Sequence, residues 1–160
     1  MDDTHQADSP PVTPTDVSTA LERVAAAPVG LLGLAMPLCG ACLLLPASFA
    51  EIARVRPGIT VAIGEFADVA DWRLRETLLW PRGIHVSRAS VPGRALLIDG
   101  RTVASRPGGG PACVIDAWLT PHLGPAERAL PDGPTAAERR ALDLAGGRID
   151  HQRRVRAART

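Results

Sequence analysis

The segment VGLLGLAMPLCGACLLLPASFA, residues 29–50, carries no charge and joins two different apolar patterns around Cys39-Gly40-Ala41-Cys42. Val29–Ala35 is apolar without alternation, the pattern of a central strand covered on both faces. Beyond the cysteines, Leu43, Leu44, Leu45, Phe49, Ile52 and Val55 make a broad apolar face with Glu51, Arg54 and Arg56 opposite, so a helix is expected there. Pro46 removes a backbone hydrogen bond and predicts a bend, and Pro57-Gly58 ends the helix. Cys39 then begins a helix, where the partial positive charge of the N-terminus stabilises a thiolate. This is the pattern of a dithiol–disulfide couple. The same spacing serves zinc sites, and two buried apolar thiols would look no different.

A chain of 160 residues is most simply one domain with tails. The 46% hydrophobic and 22% charged fractions are those of a globular protein, and a formal net charge of +1 points to no polyanionic partner. All 18 basic residues are arginine, which reflects a GC-rich coding sequence rather than nucleic-acid binding. Three cysteines are too few for a secreted disulfide framework, and MDDTHQADSPP lacks the positive and apolar regions of a secretory signal, so a cytoplasmic setting is expected. No charge occurs between Arg23 and Glu51, a stretch longer than the roughly 20 residues that span a bilayer, so a membrane anchor is one reading of it. Pro28, Pro37 and Pro46 with Gly30, Gly33 and Gly40 interrupt a spanning helix, and no membrane partner is expected.

Residues 1–14 read as a disordered tail, residues 15–124 as the domain, and residues 125–160 as a polar extension with a short helix and a basic tail. Asp16 caps a helix to about Ala26. Ile59–Phe66 is a second strand, and Asp68–Trp80 is helical, closed by Pro81. Arg94–Ile98 and Arg101–Ser105 flank Asp99-Gly100, a two-residue hairpin turn. Pro111 opens a helix to about Leu119 with Val114, Ile115, Trp118 and Leu119 inward. Trp72, Trp80 and Trp118 are expected as core anchors. Thr135 and Glu138 form a capping box for a helix over Ala136–Ala145, stopped by Gly146-Gly147. Arg153, Arg154, Arg156 and Arg159 read as a solvated tail. Cys113, His5, His85, His122 and His151 show no paired ligand spacing, so no metal and no cofactor are expected.

The order of helix, buried strand, C-x-x-C, helix, strand, helix, Val91-Pro92, hairpin and closing helix resembles the thioredoxin family from about Val17 to Leu123. The resemblance implies a three-layer α/β sandwich, a mixed central β-sheet flanked by helices. It implies a cis bond before Pro92, with Pro92 beside the dithiol and the Val91 backbone pairing with a bound substrate chain. Cys39 would be the attacking thiolate and Cys42 the resolving thiol, with Gly40 and Ala41 beside the substrate. The activity implied is reduction of disulfides in a protein or a small thiol compound, with a reductase or thiol donor as second partner. The chain departs from the family at Leu38 and Ala41, where thioredoxins have tryptophan and proline, at Gly93, where they commonly have threonine, and at Gly33, near the place of their buried acid. These departures leave a second reading, a non-catalytic thioredoxin-like binding or chaperone module.

Overall fold

A computed structural model describes residues 9–37, 39–87 and 90–158. Met1 to Asp8, Leu38 and Arg159, to which the sequence reading gave roles, lie outside them. The elements in order are β1 (Thr15–Asp16), α1 (Val17–Ala25), β2 (Val29–Ala35), α2 (Leu45–Val55), β3 (Thr60–Glu65), α3 (Val69–Leu74), β4 (Gly93–Ile98), β5 (Arg101–Pro107), α4 (Ala112–Leu123) and α5 (Ala136–Ala157). The strands lie in the order β1-β3-β2-β4-β5. β1 and β2 run parallel to β3, whereas β4 is antiparallel to both β2 and β5. The sheet is therefore mixed, with β2 at its centre, as its unbroken apolar run requires.

Each face of the sheet is covered by helices. On one face Leu32 and Leu34 of β2, Ala62 of β3 and Leu97 of β4 pack with Val17, Leu21 and Val24 of α1 and with Phe66, Trp72 and Leu79. On the other, Leu31, Ala35, Ile63 and Leu96 pack with Leu45, Phe49 and Ile52 of α2 and with Ile115 and Leu119 of α4. The result is a three-layer α/β/α sandwich. No helix among the described residues is long and apolar enough to cross a membrane. The uncharged stretch is instead divided between β2, the cysteine turn and the start of α2.

Local chemistry sets the ends of these elements. Asp16 accepts from the Thr19 amide at 2.9 Å and from its hydroxyl at 2.6 Å, capping α1. Asp99 and Gly100 take φ of 50° and 76°, the positive values a two-residue hairpin turn needs. Pro46 does not bend a helix interior. It sits in the first turn of α2, where proline's fixed φ suits a helix start, and the turn before it, Ala41–Leu44, is 3₁₀.

Several expectations are corrected. The helix from Asp68 is irregular: α3 passes into a π turn at Arg75–Leu79 and a 3₁₀ turn at Trp80–Arg82, and leaves Trp80 41% exposed rather than in the core. Val114, expected inward, is 48% exposed because the inward stripe of α4 is Ala112, Ile115 and Leu119. Glu51 and Arg56, expected on a polar face, are buried; Arg54 pairs with Glu51 at 2.9 Å, and Arg56 reaches Asp116 at 2.6 Å and the Gly124 carbonyl at 2.8 Å. Val12, in the stretch expected to be a free tail, packs on the α2 side of the sheet and donates to the Pro46 carbonyl at 3.0 Å. Finally, α5 runs through Gly146-Gly147 to Ala157. Glycine in a helix interior costs only about 1 kcal/mol relative to alanine, and the helix formers around this pair offset it.

Candidate active site

The end of β2 delivers the chain into the cysteine turn. The Cys39 amide donates to the Met36 carbonyl at 3.4 Å, and the Cys42 and Leu43 amides donate to the Cys39 and Gly40 carbonyls, each at 3.2 Å. Gly40 already has helical angles, φ −60° and ψ −44°, so the motif winds directly into the 3₁₀ turn. Because Pro46 has no N–H to offer the Cys42 carbonyl, that carbonyl takes the Leu45 amide one residue earlier. Cys39 and Cys42 are joined as a disulfide, with Cα atoms 5.3 Å apart. Cys39 is half-buried and Cys42 is buried at 7% exposure, so Cys39 is the more accessible of the two. The Cys42 amide also lies 3.2 Å from Cys39 Sγ and donates to it, the backbone contact that favours negative charge on that sulfur.

A cavity of about 390 Å³ opens beside the disulfide. Its wall includes Cys39, Cys42, Ala35, Pro46 and Ile63, and among the described residues Glu65 is its one ionisable side chain apart from the cysteines. Glu65 arrives there through register: it is the last residue of β3 and pairs with Ala35, where β2 ends. Sequence reasoning found the strand but not this residue, because the signal lies in strand pairing rather than in spacing.

The Val91-Pro92 peptide bond is cis. Val91 packs against the same cluster that holds Cys42 and Cys39. Pro92 is buried, and its carbonyl accepts from the Gly108 amide at 2.6 Å. Gly109 fits between Pro92 and Leu45, for a Cβ on it would lie 3.3 Å from the one and 3.4 Å from the other. The loop after β5 thus links Pro92 to the helix that follows the dithiol. Gly40 is half-buried and Ala41 exposed. Gly33 faces the α2 side, and a Cβ there would come within 2.8 Å of the Phe49 ring, so a side chain at this position has no room. Cys113, on α4, is half-buried and free. Among the described residues no group of three or more His, Cys, Asp or Glu is placed to hold a metal ion.

The capping box is present and does more than its sequence indicated. Glu138 accepts from the Thr135 amide at 2.8 Å and, with its other oxygen, from the Ala112 amide at 2.6 Å at the start of α4. Fully buried, it ties the beginning of α5 to that of α4.

A mixed five-stranded sheet between helical layers, with a disulfide-linked C-x-x-C at a helix start and a cis proline before β4, is a thioredoxin-like fold. Comparison with solved structures agrees. The chain is similar to thioredoxin f2 of Chlamydomonas reinhardtii, with TM-score 0.52 and 17% identity over 71% of this chain and 98% of that one. It is similar to thioredoxin O2 of Arabidopsis thaliana in its oxidised state, with TM-score 0.52 and 16% identity over 74% and 98%. It is also similar to desulfothioredoxin of Desulfovibrio vulgaris Hildenborough, with TM-score 0.53 and 14% identity over 69% and 98%. No family model matches the chain, and no curated protein matches it. At these identities the likeness is one of fold.

Proposed function

We propose that the protein is a thiol–disulfide oxidoreductase that reduces disulfides of proteins or small molecules through Cys39 and Cys42. The observation that carries this reading is the disulfide-linked pair at a helix start, with the more accessible sulfur receiving a backbone N–H. In the reduced protein, the Cys39 thiolate attacks a substrate disulfide; a mixed disulfide forms and one substrate thiolate leaves. Cys42 then loses its proton and attacks Cys39 Sγ, the second substrate thiolate leaves, and the Cys39–Cys42 disulfide remains. A dithiol donor or reductase returns two electrons and two protons. Glu65 is the candidate acceptor for the Cys42 proton, since it shares the cavity wall with Cys42. Val91 and Pro92, with Gly40 and Ala41, are the candidate contacts for an extended substrate chain, and residues 15–124 are the unit to which we assign the chemistry.

The crowding at Gly33 favours a second reading, a module that holds a partner chain without turnover, because the place of the family's buried acid is closed by Phe49. Insulin reduction with a thiol donor separates the two. The oxidoreductase reading expects Cys39→Ser and Cys42→Ser each to lower turnover by on the order of a thousandfold or more. Full turnover in Cys39→Ser overturns that reading, and undiminished partner capture by the double variant supports the module.

A further inference from the structure

The hairpin and α4 border a second cavity, open to solvent and of about 530 Å³, whose wall includes Arg94, Arg106, Cys113, Val114, Ala117 and Trp118. Its volume is in the range of small-molecule sites. Arg94 and Arg106 are register partners across β4 and β5, so two like charges stand directly opposite each other, an arrangement that destabilises a sheet. Arg94 is only 3% exposed. Its Nη1 donates to the Gly108 and Gly109 carbonyls at 3.0 and 3.1 Å, and its guanidinium lies over the Trp118 ring, 4.8 Å from the centroid. Its Nε is buried with no hydrogen-bond partner, and among the described residues neither arginine pairs with a carboxylate. Burial and the neighbouring Arg106 both act against the Arg94 charge. A buried cation is ordinarily compensated by an anion, and guanidinium groups match the oxygens of carboxylate and phosphate.

We propose that this cavity binds a small organic anion, a carboxylate or a phosphate ester, whose oxyanion sits between Arg94 and Arg106 and whose apolar part lies against Trp118, Val114 and Ala117. The site is separate from the dithiol, and the proposal does not depend on the oxidoreductase reading. The missing counter-charge is then supplied by the ligand.

Cys113 provides the test, because it lines the cavity and is the only free thiol of the three cysteines in the oxidised protein. The full-length oxidised protein is alkylated with the neutral reagent iodoacetamide while benzoate or phenyl phosphate is added, with sodium chloride at equal ionic strength as control. Saturable slowing of Cys113 alkylation by about tenfold is expected for one or both anions, and which of them acts separates the carboxylate from the phosphate source. Arg106 is exposed, so Arg106→Gln leaves the fold in place. It is expected to raise the anion concentration for half-protection by about tenfold. Protection by neither anion beyond the chloride control, or protection unchanged in Arg106→Gln, overturns the proposal.

Discussion

The dithiol cavity and the arginine cavity border the same helical layer of the sandwich and differ in how each treats charge. Around Cys39 and Cys42 the wall is apolar except for Glu65, and the stabilising group for a sulfur anion is a backbone N–H. Around Arg94 the charge is carried by side chains, is of one sign, and is met only by carbonyl dipoles and an aromatic ring. The first cavity is suited to a charge that appears during a reaction; the second holds a standing charge. β2 runs past both: its Ala35 lines the first, and its Gly33 pairs with Arg94 of the second in the antiparallel register.

The sharpest way to break this contrast is to put charge where the dithiol layer has none. Gly33→Asp drives a carboxylate into Phe49, and is expected to cost about 3 kcal/mol or more through overpacking and burial of a polar group. Urea unfolding measures it, and an unchanged midpoint would show that the layer can make room. A paired arginine gives the next comparison. Arg56→Met strips Asp116 and the Gly124 carbonyl of their partner and is expected to cost about 3 kcal/mol. Arg94→Met abandons two carbonyls but also removes an uncompensated buried cation, so its cost should stay below about 1 kcal/mol. Equal losses in the two variants would mean that Arg94 is as well compensated as Arg56.

Glu65→Gln probes the lone acid of the dithiol cavity. It should slow resolution of the mixed disulfide by Cys42 about tenfold in single-turnover kinetics while leaving the first attack by Cys39 unchanged, whereas a merely structural Glu65 would slow both steps or neither. The smallest effect lies away from both cavities. The hydrogen bonds from Thr19, its hydroxyl first, hold the Asp16 carboxyl below its ordinary value of 3.8. A lowered folded-state value means that the cap contributes fully above the unfolded-state value and is lost as pH falls through the lowered one. Asp16→Ala should therefore lower Tm slightly at pH 7, and the gap should close in acid as pH falls through that lowered value.

Features decided by neighbours in sequence were legible beforehand. Val29–Ala35 is a strand over its whole predicted length, and the Asp99-Gly100 turn follows from a local demand for positive φ. The cysteine pair was legible in its C-x-x-C spacing where an apolar strand meets a helix, and the cis bond before Pro92 came from the resemblance in motif order. What escaped depends on packing between distant segments. Arg94 looks like one charge in an ordinary strand until Trp118 of α4 closes over it, and Glu51 and Arg56 look solvated until Arg54 and Asp116 take up their charges. Pro46 was placed inside a helix because the 3₁₀ turn and α2 share one apolar face, and periodicity does not tell them apart.

The carboxylate of Glu138 gives the chain a cooperative joint. One oxygen closes the first turn of α5 and the other closes that of α4, more than twenty residues earlier. Neither helix start can open without leaving the shared side chain half-satisfied in a buried place, so the two termini form and melt as a pair. Through that joint, the last helix of the chain contributes to the order of the layer in which both cavities lie.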